Sequence, residues 1–279
     1  MNYTKIRNKL IIHDLTEFNA KQILDCGQIF RYHIEDNVAT VNTMDKQAKI
    51  ITKENEAEIV TEDVDYFEHF FDLKTDYTKI KNKLKEDEFL SHAVDYGYGI
   101  RILNNNPFEM IVSFIISANN NIKRIKKSIE FICEHFGENK GNYYAFPTLN
   151  KLKTAKVEDF KMAGLGYRAE QLHETLQTLT EEQIENLKTK TKEEQLNFLV
   201  SLKGVGEKVA NCIMLFGLGV KDVFPVDTWI NKVYNSLTNT QETNRKKITK
   251  ELTNRYGELS GYAQQYFFYY FRDNKINNI

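Results

Sequence analysis

The chain reads as an α+β protein: an N-terminal antiparallel β-sheet domain followed by a mostly α-helical body that contains a tight helical hairpin. Three observations predict this. The first third carries short β-rich runs separated by polar turns at hairpin intervals. From Val64 onward the apolar residues recur with helical spacing. Further on, Lys203-Gly204-Val205-Gly206 separates two helical runs, with Leu196, Leu199 and Val200 before it and Val209, Cys212, Ile213 and Phe216 after it. A composition shift between about Val64 and Asn106 offers the only domain boundary. The expected units are 1–105, the sheet domain with linking helices, and 106–279, the helical domain with its hairpin at about 196–217.

At 279 residues the chain can bury one large core or two domains. Its 41% hydrophobic and 28% charged residues describe an ordinary soluble globular protein. No apolar run approaches the ~20 residues of a membrane span. Met1 to Ile12 lacks a signal peptide's apolar core and small-residue cleavage site, so an intracellular location is expected. The three cysteines, Cys26, Cys133 and Cys212, form no C-x-x-C pair and are too few for a four-cysteine iron–sulfur cluster. The six histidines show no metal-ligand spacing, and no metal is expected. With a formal net charge of −1 and a pI near 6.6, no global positive field draws the chain to nucleic acid. Any such binding must rest on local patches and backbone amides.

In chain order, Ile6 to Ile12 reads as a partly alternating strand that Asn8 interrupts. Leu24 to Tyr32 is a β-rich run holding one glycine, Gly27, which marks either a bulge or a place where something approaches the backbone closely. Val38–Val41, Ala48–Thr52 and Glu58–Val60 complete the antiparallel set. Asp65 to Asp72 and Lys79 to Phe89 read as helices. Asn106-Pro107 is a helix start with proline in the first turn, and the almost wholly apolar Phe108–Ala118 implies a helix buried on all sides. After Asn119-Asn120-Asn121, a helix with Ile122, Ile125, Ile129, Ile132 and Phe136 on one face stops at Gly137. Its first half carries Lys123, Arg124, Lys126 and Lys127, which form either a solvated face or a site for an anion. Gly164-Leu165-Gly166-Tyr167-Arg168 is a second glycine-flanked turn. The last helix, Gly257 to Phe271, is crowded with aromatics, and Gln264 and Phe268 project together at i and i+4.

The glycine hairpin concentrates the chemistry. Gly204 and Gly206 are expected to supply positive φ and to bare amides at a helix N-terminus, where a phosphate is a natural ligand. Lys208 stands two residues into that helix. Burial and the helix start both disfavour an ammonium there, and a neutral amine can attack an electrophilic carbon and form a Schiff base. Cys212 lies one turn later on the same face. Asp227, in Pro225-Val226-Asp227, could steady a developing positive charge, or could simply cap the helix beginning at Thr228.

These residues carry a resemblance. Leu202-Lys203-Gly204-Val205-Gly206-Glu207-Lys208-Val209-Ala210 followed by Pro225-Val226-Asp227 resembles the helix-hairpin-helix, Gly/Pro-Asp signature of a DNA glycosylase superfamily. Within it the chain resembles the 8-oxoguanine DNA glycosylase family over nearly its whole length. The matching blocks are Cys26-Gly27-Gln28-Ile29-Phe30-Arg31, Ser117 to Ile122 with its following helix, Gly164 to Arg168, and Gly261-Tyr262-Ala263-Gln264 with Phe268.

The resemblance implies a bifunctional glycosylase and abasic-site lyase acting on double-stranded DNA that contains 8-oxoguanine, with no cofactor and as a monomer. Its compartment would be cytoplasmic, nucleoid-associated in a prokaryote. Lys208 would be the Schiff-base nucleophile and Asp227 its electrostatic partner. The Gly27 carbonyl would accept from N7–H of the lesion, Gln264 would read its Watson–Crick edge, and Cys212 and Phe268 would sandwich the ring. Asn119 and Tyr167 would fill and wedge the duplex, Arg124 and Arg168 would contact the estranged cytosine, and Lys203, Gly204 and Gly206 would meet the DNA backbone. The chain departs from the family at Lys203, where proline is common, and at Trp229, where mammalian-type members carry histidine. A lysine-dependent glycosylase for another damaged base and a non-catalytic DNA-binding hairpin module are the alternatives.

Overall fold

In the computed structural model, which describes residues 1–274, six strands form one antiparallel sheet in the order β1-β2-β6-β5-β4-β3. They are β1 (Tyr3–Ile6), β2 (Lys9–Ile12), β3 (Tyr32–Glu35), β4 (Val38–Thr43), β5 (Lys46–Thr52) and β6 (Ala57–Thr61). The last three fall on the expected runs. Their alternating residues Ala39, Val41, Ala48, Ile50, Ala57 and Ile59 turn inward, as period-two strands with one covered face must. The expected strand from Ile6 to Ile12 is instead a hairpin, with Ile6 paired to Lys9 and the turn at Arg7-Asn8. The asparagine that broke the apolar alternation is the turn itself.

Leu24 to Tyr32 also departs from expectation. Ala20–Leu24 is a helix, α1, whose first turn is capped by the Asn19 side chain accepting from the Gln22 amide. Residues 25–31 are irregular, and β3 begins only at Tyr32. Gly27 therefore lies outside any strand and marks no bulge. The segment dispenses with a sheet partner because side chains serve its carbonyls, Arg272 that of Asp25, Gln265 that of Cys26 and Asn105 that of Gln28, while its own Gln28 ties it to the chain on either side. Gln28 Nε2 donates to the Ile23 and Arg101 carbonyls at 2.8 and 2.7 Å, and Gln28 Oε1 accepts from Leu103 N at 2.8 Å.

The remaining helices are α2 (Val64–Phe70), α3 (Tyr77–Leu84), α4 (Glu88–Tyr96), α5 (Pro107–Ser117), α6 (Ile122–Phe136), α7 (Leu149–Lys153), α8 (Val157–Met162), α9 (Arg168–Thr178) and α10 (Glu181–Leu187). They continue with α11 (Lys192–Ser201), α12 (Glu207–Gly217), α13 (Thr228–Thr238), α14 (Arg245–Tyr256) and α15 (Ser260–Asn274). The single helix expected over Lys79 to Phe89 is two, because Asp87 accepts from the Phe89 amide at 2.9 Å and starts α4 afresh. The last helix begins at Ser260, after a 3-10 turn over Gly257–Leu259.

The sheet packs Leu10, Ile12, Val41, Ile50 and Ile59 against Phe67, Phe70 and Phe71 at α2. A second core gathers the other helices around α5, whose residues Pro107 to Ile116 are all buried, as its apolar sequence requires. Glu109 of α5 helps to join the layers: buried, it accepts from Met44 N at 2.9 Å and Thr43 Oγ1 at 3.0 Å at the end of β4.

Lys221, between α12 and α13, buries its ammonium without a hydrogen-bond partner, 5.9 Å from the Tyr262 ring centroid. Desolvation lowers its pKa to about 8, only partly opposed by Asp72. The folded state therefore binds fewer protons than the unfolded state between pH 8 and about 10.5, so this residue's cost is greatest below pH 8 and fades as pH rises through that window. Lys221→Met is expected to be more stable than the wild type at pH 7 by about 2 kcal/mol, with the gap closing by pH 10.5. Urea melts of both proteins across that range check it; a gap that is absent or constant with pH refutes it.

Candidate active site

α11 and α12 meet through the turn at Leu202–Gly206. Leu199 is fully buried beneath it, whereas Val200, expected on the same apolar face, is 38% exposed. Gly204 has φ +82°, so the backbone requires glycine, and a Cβ there would crowd the Gln171 side chain at 2.9 Å from its Oε1. Gly206 does not share the positive φ expected of it. It is an extended N-cap at φ −89°, and its missing side chain leaves the start of α12 uncovered. The Lys203 carbonyl accepts from Thr175 Oγ1 at 2.9 Å, and its ammonium lies 3.8 Å from Glu174.

Four distant parts of the chain converge beside this turn. α12 presents Lys208 and Cys212 one turn apart. Asp227 caps α13, accepting from Ile230 N at 2.8 Å, and is fixed in place by doing so. α15 contributes Gln264 and Phe268, and the irregular segment contributes Gly27. All six line one cavity of about 130 Å³. That is close to the roughly 150 Å³ known to admit benzene, so there is room for a flat ring.

The walls are polarised in a definite way. Burial pushes the Cys212 thiol up; the neighbouring Lys208 ammonium opposes the shift and the Asp227 carboxylate adds to it, which places all three groups within electrostatic reach of one another. Lys208 Nζ stands 5.7 Å from the Phe114 ring centroid. Gln264 is buried, and its Oε1 has no hydrogen-bond partner. Gly27 has φ +78°, and a Cβ on it would lie 3.0 Å from Phe268 Cε1. Of the two sequence explanations for this glycine, the close approach holds: the Phe268 ring rests on it. Among the described residues no hydrogen bond uses the Gly27 carbonyl, whereas Gln265 Nε2 serves the Cys26 carbonyl at 3.4 Å and Asn105 Nδ2 the Gln28 carbonyl at 3.3 Å.

The other predicted residues lie outside this cavity. Asn119 is exposed, at φ +49°, just beyond α5. Asn121 caps α6 by accepting from the Arg124 amide at 3.0 Å, and the Arg124 side chain is exposed beside Lys123 and Lys127. Lys126 leaves that charged face: it lies 3.6 Å over the Tyr32 ring and donates to the Tyr32 carbonyl at 2.7 Å. Tyr167 is 57% exposed. Arg168 is buried, donating to the carbonyls of Ala118, Asn119 (2.6 Å) and Leu165 (3.0 Å), so here it ties the asparagine loop to the Gly164–Tyr167 turn. Asn120, Phe114 and Gln265 also line the cavity and were not anticipated. Phe114 is one apolar residue among many in α5, and nothing in its spacing sets it apart.

Comparison with known proteins fixes the lineage. The family model for the N-terminal domain of 8-oxoguanine DNA glycosylase matches residues 10–111, and that for HhH-GPD superfamily base excision DNA repair proteins matches residues 112–258. The chain belongs to the 8-oxoguanine DNA glycosylase family. Its fold superposes on the crystal structure of Clostridium acetobutylicum 8-oxoguanine glycosylase/lyase in complex with double-stranded DNA containing cytosine opposite 8-oxoG. The TM-score is 0.92 and the identity 38%, over 99% of both chains. In sequence it is 33% identical over 226 residues to a "Probable N-glycosylase/DNA lyase" of Methanothermobacter thermautotrophicus, covering 72% of each chain. It is 32% identical over 201 residues to the N-glycosylase/DNA lyase OGG1 of Arabidopsis thaliana, covering 66% of this chain and 55% of the plant protein. Among the described residues no helix is long and apolar enough to cross a membrane, and no cluster of His, Cys, Asp or Glu could hold a metal ion.

Proposed function

We propose that the protein is a DNA repair glycosylase and abasic-site lyase that removes 8-oxoguanine from duplex DNA. One observation carries this reading. A cavity with room for one flat ring is lined by a lysine, a carboxylate and two residues whose acceptors have no protein partner among the described residues, the Gly27 carbonyl and the buried Gln264 Oε1. An 8-oxoguanine flipped into it offers N7–H to the Gly27 carbonyl and N1–H to Gln264 Oε1. Guanine has a lone pair at N7 in place of that hydrogen, so one acceptor would face another. A lost buried hydrogen bond of this kind costs about 1–3 kcal/mol, a factor of roughly 5 to 150 against the undamaged base. Cys212 and Phe268 close on the two faces of the ring, and their contact offsets part of the few kcal/mol spent in flipping.

Lys208, attacking as the free amine once its ammonium has given up a proton, bonds to C1′ as the glycosidic bond breaks; its nitrogen sheds a second proton, and the departing base takes the bonding electrons and a proton. Asp227 faces the positive charge that grows on the sugar. The C1′ adduct opens to a Schiff base that acidifies the C2′ protons. Loss of one expels the 3′ phosphate and nicks the strand 3′ to the lesion. Asn119 and Tyr167 enter the gap, Arg124 contacts the estranged cytosine, and Arg168 reaches that base only through the loop it holds. The uncovered α12 start, with Lys203, Gly204 and Gly206, receives a backbone phosphate. We read the protein as a monomer of two units, 1–105 and 106–279, acting on DNA in the cytoplasm.

The test incubates the protein with duplexes carrying 8-oxoguanine opposite cytosine, other damaged bases, or no lesion, in the presence of borohydride. A covalent protein–DNA adduct with the first duplex, and none with undamaged DNA, is the expected result. Trapping on a different lesion alone identifies another glycosylase, and binding with neither trapping nor base release leaves a DNA-binding module.

A further inference from the structure

The carbonyl that would distinguish the lesion belongs to a segment with no sheet or helix to hold it, and α15 supplies what holds it. Gln265, adjacent to Gln264 on that helix and only 2% exposed, turns its amide nitrogen to the Cys26 carbonyl at 3.4 Å and the Cys26 thiol at 3.1 Å. Two turns later, Arg272 donates to the Asp25 carbonyl and reaches Asp25 Oδ2 at 3.4 Å. Asp25 Oδ1 in turn accepts from Tyr32 OH at 2.6 Å. The same guanidinium lies 5.9 Å over the Phe268 ring, one helical turn before it. Each side chain therefore touches both halves of the recognition apparatus: the residues just before Gly27, and the helix bearing Gln264 and Phe268.

A carbonyl's direction follows from the peptide planes on either side of it. Gly27 is free to rotate in a way that other residues are not. Gln265 fixes the Cys26–Gly27 plane from α15, and Asn105 fixes the plane after Gln28 from the opposite side. Without such anchors the glycine carbonyl could swing while the fold stayed intact.

We infer that Gln265 and Arg272 are positioning residues for base discrimination: they lock residues 25–27 to α15 so that the Gly27 carbonyl, Gln264 and Phe268 meet the base as one rigid unit. This rests on the proposed excision of 8-oxoguanine. The role differs from that of Lys208 and Asp227, because neither side chain acts on the sugar. Its signature is a split between two steps of one enzyme: recognition of a base, and nicking at a site that has no base.

The experiment compares wild type, Gln265→Leu, Arg272→Met and Arg272→Lys under single-turnover conditions, on an 8-oxoguanine·cytosine duplex and on a preformed abasic duplex, with thermal melts of each protein. Gln265→Leu and Arg272→Met are expected to release 8-oxoguanine about tenfold more slowly, the loss of one buried hydrogen bond, while nicking of the abasic duplex falls no more than about twofold. Arg272→Lys, which keeps a donor, is expected to recover much of the release rate. In a Lys208→Gln background the Gln265→Leu change is expected to narrow the preference for binding 8-oxoguanine duplex over guanine duplex by a similar factor. Wild-type release rates in both variants overturn the inference and leave the excision reading standing. Release and nicking that fall together with the melting temperature also overturn it, since the contacts would then be structural only. A wild type that nicks abasic DNA but leaves 8-oxoguanine in place overturns the excision reading itself.

Discussion

Lys208→Gln is expected to give no borohydride-trapped adduct and to release 8-oxoguanine at least about a thousandfold more slowly than the wild type, roughly 4 kcal/mol of barrier. Glutamine fills nearly the volume of the lysine stem but has no amine to form a bond to C1′. The surroundings have no need of the charge to stay folded. Asp227 keeps its bond to Ile230 N, Cys212 stays buried, and α12 loses no backbone partner. Affinity for lesion DNA should therefore survive the substitution, and a gel shift with the 8-oxoguanine duplex would show the complex that trapping no longer captures. Release within about tenfold of wild type would remove the covalent route and leave hydrolysis assisted by Asp227 alone. Asp227→Asn separates these cases, since asparagine caps a helix as well as aspartate does but carries no charge. Under the covalent route its folding is unchanged and its release rate falls by about two orders of magnitude.

Much of this site was legible in the sequence because its chemistry is local. Lys208 and Cys212 are one turn apart on one helix, Gln264 and Phe268 one turn apart on another, and Asp227 occupies a capping position that a Pro-x-Asp run announces. Short β-rich runs at hairpin intervals located β4 to β6, and an almost wholly apolar run after Asn106-Pro107 located the buried α5. What failed was information held in tertiary contacts. Leu24 to Tyr32 has the composition of a strand, but Asn19 caps a helix into it and the Gln265, Asn105 and Arg272 side chains bond its backbone carbonyls, so propensity lost to context. Gly206 looks identical to Gly204 in sequence; the fold makes Gly204 the left-handed residue of the turn and Gly206 the extended N-cap of α12. Arg168 reads as a free cation beside Tyr167, yet three carbonyls that no linear motif reveals draw it inward. Gln265 is the same kind of case, since a Gln-Gln pair does not say that one member keeps a free acceptor in the pocket while the other, also at its wall, bonds Cys26.

Arg101→Met is expected to be strongly destabilising, by about 4 kcal/mol or more, because it leaves four buried or part-buried carbonyls without their donor and takes one of two cations from a buried carboxylate, Glu17, which keeps the Met1 ammonium at 3.9 Å and the Thr78 hydroxyl. Arg101 is fully buried. Its guanidinium donates to the carbonyls of Phe71 (3.0 Å), Glu17 (3.2 Å), Asp72 and Thr75 (3.0 Å), and lies 4.0 Å from the Tyr77 ring centroid. Its charge stands 4.0 Å from Glu17 Oε2, a carboxylate that is itself only 4% exposed. Those partners come from both layers: Phe71 belongs to the core under the sheet, whereas Tyr77 belongs to the helical core. One guanidinium thus closes the junction that sets the sheet domain, and with it Gly27, against the helices that carry Lys208. Methionine occupies similar space, so packing changes little, and the cost isolates the polar groups left without partners. A loss of 4 kcal/mol is a large part of the 5–15 kcal/mol that holds a typical domain folded, and corresponds to a melting temperature lower by about 10 °C for a chain of this size. Paired urea and thermal melts measure it. A loss below about 1 kcal/mol would mean that water reaches these carbonyls once the side chain is gone, and that apolar contacts and the Glu109 bonds to β4 hold the two layers together without the guanidinium.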